Sequence, residues 1–228
     1  HVAHPGVALH PGGEGAVVSL HSDHRLLFGT VFLGFLALSA IIAVGPAIWV
    51  EDNTQALPAS RPLTDHERQG LKVYVGEGCV ACHTQQVRPI AMDAVWGRPS
   101  VPGDYAHVEP LGALSPYAPA LLGSSRTGPD LTNVGARQPS ETWHLLHLYD
   151  PRIVVPDSVM PAYPWLFEVV AEAGDDDVVV PVPGPRAPAA GQVVPTERGH
   201  ALVAYLLSLQ QAPLEGAMAG HSAEGATQ

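Results

Sequence analysis

The residues with the most specific chemistry are Cys79 and Cys82, the only two cysteines of the chain, with His83 directly after them. A C-x-x-C-H run is the attachment signature of a c-type haem. Two thiols at that spacing add across the two vinyl groups of one porphyrin, and the adjoining imidazole then stands where it can bind the iron. Two other uses of a cysteine pair fit less well. A thioredoxin-type dithiol needs a surrounding βαβ pattern, and a structural zinc site needs a second Cys/His pair at ligand spacing. The sequence has neither.

An iron-bound imidazole usually donates its other N–H to a carbonyl or carboxylate, which fixes the tautomer and raises the basicity. The run Arg126-Thr127-Gly128-Pro129-Asp130-Leu131 offers a Gly-Pro turn that presents one carbonyl rigidly. We assign the Pro129 carbonyl as acceptor for His83 and Leu131 as a packing residue on the ring; taken alone, the tetrapeptide also reads as an ordinary turn. Met160 is the candidate second axial ligand, because a thioether favours ferrous iron and raises the potential. Pro161 biases it toward an extended backbone, from which its side chain can project. Its rivals are Met92, which follows the motif closely, Met218 in the C-terminal tail, and His107, His144 or His147, any of which would lower the potential.

These residues need elements to hold them. Thr64 with Glu67 three positions on predicts a capped helix whose stripe, Leu71, Tyr74 and Val75, leads through Gly78 into the cysteine motif. A second helix begins at Thr196-Glu197 and buries Ala201, Leu202, Tyr205, Leu206 and Leu209. The two bracket the motif and are expected to cross, with Gly70 allowing close approach. A third, short helix covers residues 142–149 and stops at Asp150-Pro151. Residues 84–125 are proline-rich loop, and 169–195, with the run Asp175–Asp177, is an inserted solvent loop or short hairpin. A calcium ion at the three aspartates is conceivable chemistry, although unpaired acidic runs are usually just hydrated.

Ahead of the motif, Leu26 to Val50 carries no charged residue. At the helical rise it spans about 37 Å, enough for a hydrocarbon core of about 30 Å. It exceeds an ordinary signal-peptide core in length, so we read it as an uncleaved anchor. Gly45-Pro46 is expected to kink or end it, and Trp49 suits an interfacial position. Arg25, His21 and His24 precede the span and Glu51 and Asp52 follow it, which favours a cytoplasmic N-terminus. The expected organisation is a polar tail (1–25, with His1, His4 and His10), a transmembrane helix (26–50), a linker (51–63), a haem domain (64–211) and a tail (212–228). The fold class is mainly α: a single N-terminal transmembrane helix, then a class I cytochrome c-like haem domain with long loops.

The net charge is −11, with Lys72 the only lysine. That excludes a nucleic-acid binder or an anionic-lipid binder on electrostatic grounds. Glycine and proline number 23 each, so much of the chain is expected to be loop.

The segments GCVACHTQQVRP (78–89), RTGPDL (126–131), VGAR (134–137) and HLYDPRIVVPDSVMPAYPWL (147–166) resemble the membrane-anchored mono-haem subunit (subunit II) of cbb3-type cytochrome c oxidases. The resemblance covers residues 26–168 and the final helix. It implies that Cys79 and Cys82 attach one haem c covalently, that His83 and Met160 ligate the iron, and that Arg126, Arg137 and Arg152 are candidates for the propionates. Arginine suits such a role, since its planar fork pairs with carboxylates. The implied location is a bacterial inner membrane, single-pass, with the haem domain on the periplasmic side.

The expected function is a one-electron relay. A further cytochrome c subunit or carrier reduces the haem, which passes the electron to an integral membrane haem-copper subunit that reduces oxygen. With no open coordination position and no acid–base constellation, the chain is not expected to do that chemistry by itself. The same relay in a nitric oxide reductase, or a free-standing anchored carrier, are the close alternatives. A haem-based sensor is a third class and requires an open or displaceable sixth position.

Overall fold

A computed structural model of the protein describes residues 23–105 and 122–214. The tail histidines His1, His4, His10 and His21, the rival ligands His107 and Met218, and the C-terminal tail from residue 215 lie outside the described residues. The chain divides into two compact units, residues 1–50 and 51–228.

The described residues of the first unit are helical. Helix α1 (His24–Ser39) is N-capped by Asp23, whose carboxylate accepts from the backbone N–H groups of Arg25 and Leu26. It runs through one π-helical turn, Ala40–Val44, into α2 (Gly45–Asn53). Pro46 explains the widened turn: it has no N–H to donate, and its ring crowds the carbonyl four residues back. Apolar side chains such as Phe28, Phe32, Phe35 and Ile41 are exposed on every side of the helix. A helix apolar all round is suited to lipid. Residues His24–Trp49 are long and apolar enough to cross a membrane. The helix continues to Asn53 rather than ending at Val50; Glu51 and Asp52 tolerate helix, and the next proline is Pro58.

In the second unit the predicted capping box forms at the start of α3 (Asp65–Gly76). The Glu67 backbone N–H donates to Thr64 Oγ1 at 3.2 Å, and the Thr64 N–H donates back to the Glu67 carboxylate at 2.7 Å. Arg61 completes the arrangement by forking onto Glu67 from the preceding loop. Together with buried Leu57 and Leu63, this fastens residues 54–63 to the unit, where the sequence suggested a plain linker.

Helix α3 crosses the last helix, α6 (Glu197–Ser208), at Gly70. A Cβ at Gly70 would lie 1.9 Å from the Ala201 carbonyl oxygen and 2.7 Å from Tyr205 Cβ, so the backbones touch because no side chain stands between them. Leu71, Val73 and Tyr74 from α3 and Ala201, Leu202, Val203, Tyr205 and Leu206 from α6 are buried around that crossing. A helical turn, α4 (Val134–Arg137), abuts the end of α6 through Gly135, where a Cβ would meet the Leu207 carbonyl at 2.1 Å. Helix α5 (Glu141–Tyr149), capped by Ser140, contributes buried His144, Leu145 and Leu148.

Residues 167–195 are a hairpin rather than a solvent loop. Strand β1 (Phe167–Val170) pairs antiparallel with β2 (Gln192–Pro195), in the register Phe167↔Pro195 to Val170↔Gln192. Phe167, Val180, Val193 and Val194 are buried, so these valines belong to the core. The aspartate run does not converge on an ion site. Asp177 accepts from the Gly174 N–H at 2.8 Å, and among the described residues no three His, Cys, Asp or Glu side chains gather as metal ligands.

Candidate functional site

The motif begins where α3 stops. Gly78 takes a left-handed conformation (φ 74°) that ends the helix. Cys79–Ala81 then form one 3-10 turn, closed by the Cys82 and His83 N–H groups donating to the Cys79 carbonyl. This turn sets the two thiols apart: Cys79 is buried and Cys82 exposed. Burial pushes the Cys79 thiol up to about 12.

A strap formed by residues 124–131 lies alongside the motif. Ser124 N–H donates to the Val80 carbonyl, Gly128 N–H to Cys82, and Leu131 N–H to Thr84. The strap is locked by Asp130, which is fully buried and accepts from Thr84 Oγ1 at 2.6 Å, Gln86 N–H at 2.8 Å and Thr132 N–H at 2.9 Å. Here His83 Nδ1 lies 2.8 Å from the Pro129 carbonyl oxygen. A carbonyl only accepts, so Nδ1 carries the proton and Nε2 is left with its lone pair. Burial also draws the His83 pKa down, partly opposed by that hydrogen bond, which favours the neutral imidazole a metal needs. Gly128 is required for this contact: a Cβ there would stand 2.3 Å from His83 Cε1.

His83 lines a narrow cleft of about 100 Å³ that opens to solvent. Leu131, Val134, Leu148, Met160, Leu202 and Leu206 give it apolar walls. Cys79, His83, Pro129, Leu131, Arg137 and Met160, six of the residues the sequence singled out, therefore line one cavity. Cys82, which caps the end of that 3-10 turn, stands on the surface.

The other two arginines are elsewhere. Arg126 donates to Asp93 from Nη1 at 2.6 and 2.8 Å, to Thr84 Oγ1 from Nε, and lies over the Trp96 ring. Asp93 is fully buried and also takes Arg88, so this cluster ties loop 88–96 to the strap. Arg152 sits by Asp150 at 3.5 Å, beside Arg186. Neither lines the cleft. Met92 is 72 % exposed on the 3-10 turn Ala91–Asp93, away from the cleft.

Five polar residues lining the cleft were not assigned to it from sequence: Tyr74, Gln138, Trp143, His144 and His147, although the two histidines were weighed as ligands. His144 Nε2 is tied to the Gln138 carbonyl at 2.8 Å. His147 stacks on Trp143, with centroids 4.6 Å apart and planes 14° apart, and burial pulls its pKa down to about 4. The spacing of His144 and His147 on α5, one turn apart, is the signal that both face one side.

The chemistry of the residues lining this cavity suits a haem. The walls are apolar, a neutral imidazole nitrogen and a thioether face the same space, and the thiols stand at its edge. Arg137, which lines the cavity, keeps its buried Nε without a partner among the described residues. An orphaned buried donor calls for an explanation, and a propionate carboxylate of a haem would supply an acceptor of the right charge.

The family model described as cytochrome c oxidase, mono-heme subunit/FixO matches residues 20–178. Nothing among curated proteins matches the chain.

Proposed function

Because the chain belongs to the cytochrome c oxidase mono-heme subunit/FixO family, we propose that it is the electron-relay subunit of a cbb3-type terminal oxidase. The family is that of an oxidase subunit carrying one haem, working in a complex with the catalytic subunit. On our reading the haem is of c type in a class I cytochrome c-like domain: Cys79 and Cys82 would hold it covalently, and His83 and Met160 would ligate its iron. The bound haem supplies reversible one-electron iron chemistry. The chain's own residues do the rest: Pro129 orients His83, Leu131 and Leu202 exclude water, and Arg137 holds a propionate.

The observation that carries this reading is the pairing of His83 Nδ1 with the Pro129 carbonyl in a cavity that also receives Met160. It supplies a fixed, neutral nitrogen donor and a thioether, a ligand set that raises the potential toward that of a relay. Among the arginines, Arg137 suits a propionate best, since Arg126 and Arg152 already face carboxylates. The apolar helix His24–Trp49 fits membrane anchoring. Thioether attachment belongs to the oxidising side, so the second unit faces the periplasm and the N-terminus the cytoplasm. Oxygen rather than nitric oxide is the terminal acceptor, in keeping with the oxidase family.

The test is spectroscopic. The full chain, matured in cells able to attach haem c and extracted in detergent, should keep one haem per chain after acidified-acetone extraction. Its ferric form should be six-coordinate and low-spin with a thioether-to-iron charge-transfer band. Extractable haem would overturn covalent attachment, and a high-spin ferric haem would favour the sensor reading.

A further inference from the structure

Four tryptophans occur in the chain. Trp49 belongs to the apolar helix, Trp96 lies beneath Arg126, and Trp143 stacks on His147. Trp165 differs: 54 % of its surface is exposed, yet its orientation is fixed. Its indole Nε1 donates to Glu77 Oε2 at 2.9 Å, and Arg198 donates to the other oxygen of the same carboxylate. Glu77 caps the end of α3, two positions ahead of Cys79, and its side chain is only 12 % exposed. The Trp165 ring also meets Tyr163 edge to face, with centroids 5.4 Å apart. Tyr163 is buried, and it shares one apolar cluster with Cys79. An unbroken run of packed groups thus leads from an exposed indole to a haem-attaching cysteine.

Fixing a large aromatic in the solvent loses hydrophobic stabilisation and gains only a partly exposed hydrogen bond, so folding alone does not account for the arrangement. We propose that the Trp165–Tyr163 pair, braced by Glu77 and Arg198, is the contact through which this chain passes its electron to the catalytic subunit of the oxidase. The inference rests on the relay reading above and adds the place of exit. One electron leaves the ferrous haem of this chain and one is gained by the oxidised metal cofactor of the catalytic subunit; no bond forms or breaks.

The occupant follows from charge. The chain carries −11 overall, but the groups that brace Trp165 are one carboxylate and one guanidinium in contact, without net charge. A soluble carrier that docks and leaves is steered by complementary fields. A permanently assembled subunit instead meets its neighbour through apolar surface, with tryptophan among the preferred anchors. A rigid, locally neutral indole matches the second kind of partner.

The experiment uses the assembled oxidase purified with this chain at wild type, Trp165→Leu and Trp165→Phe. Three quantities are read: the midpoint potential and visible spectrum of this haem, its reduction by a soluble cytochrome c, and its oxidation when the reduced complex meets oxygen in a stopped-flow device. We expect Trp165→Leu to leave the potential and spectrum unchanged and the reduction step normal. Its oxidation step should slow by about tenfold or more, the scale of losing one aromatic anchor. Trp165→Phe, which keeps a ring against Tyr163, should recover most of that rate. An unchanged oxidation rate in Trp165→Leu overturns the proposal. So does a loss confined to the reduction step, which would assign this face to a soluble donor. If the wild-type haem is not oxidised by oxygen at all, the relay reading fails instead.

Discussion

Gly70→Ala tests the helix crossing directly. Alanine is the better helix former by about 1 kcal/mol, so propensity alone predicts stabilisation. The crossing predicts the reverse. The new methyl would stand 1.9 Å from the Ala201 carbonyl oxygen and 2.6 Å from its carbon, both backbone atoms that cannot rotate aside. Ordinary contact begins at 3.4 Å, so α3 and α6 must part by about 1.5 Å. Overpacking of this kind costs about 1–3 kcal/mol, and a backbone obstacle on a fully buried seam belongs at or above the upper end. Subtracting the propensity gain leaves a net loss of about 2 kcal/mol. For a unit of this size that corresponds to roughly 4–8 °C in Tm. Gly76→Ala is the internal control: it lies in the same helix, has nothing within 4 Å of the added Cβ, and should stabilise slightly. Both variants are made in the haem-loaded chain in detergent, with unfolding followed by far-ultraviolet circular dichroism and by haem absorbance. If Gly70→Ala raises Tm as Gly76→Ala does, the close approach at Gly70 is refuted.

Further outcomes follow from the same contacts. Gly128→Ala puts a methyl 2.3 Å from His83 Cε1 and should turn the imidazole off its carbonyl partner, seen as loss of the low-spin spectrum at neutral pH. Met160→His should keep the haem attached but lower the midpoint potential, because imidazole stabilises ferric iron better than a thioether does; an unchanged potential in a redox titration would remove Met160 as ligand. Arg61, with help from the Thr64 cap, holds Glu67 down from 4.5 to about 2. Its folded-state pKa is depressed, so the stabilisation is complete above pH 4.5 and drains away as pH falls toward 2. Arg61→Ala should flatten that part of a stability–pH profile measured by denaturant unfolding.

What was legible in the sequence was what is encoded within a few residues. The Thr64–Glu67 capping box spans four positions, Gly78 ends α3 just before the thiols, and Asp150-Pro151 stops α5, so each reads from local chemistry alone. The Met160 strap and the Gly-Pro turn are equally short. Partners chosen across the fold left no such trace. Arg126 has the composition of a propionate ligand, yet it meets Asp93, 33 residues upstream, and nothing in either neighbourhood announces that pairing. Trp165 and Glu77 are 88 residues apart. The valine patch of 178–194 left loop and hairpin both open in the sequence because strands this short give no period to count; Val193 and Val194 reach the core by pairing with Phe167–Val170, and Val180 by its bridge to Val193.

The α3–α6 crossing also sets an order of events. Glu77 and Arg198, which bridge those helices, are 121 residues apart, and the wall of the cleft formed by Leu202 and Leu206 comes from the later one. As the chain is laid down from its N-terminus, the cysteine motif and its helix emerge long before that wall exists. Closing so long a loop is slow, because its entropy is lost before the contact that rewards it can form. Through that interval the thiols lie open along one whole side. The last helix then acts as the closing panel: a cofactor arriving before it meets an accessible motif, and one arriving after it must reopen the α3–α6 crossing.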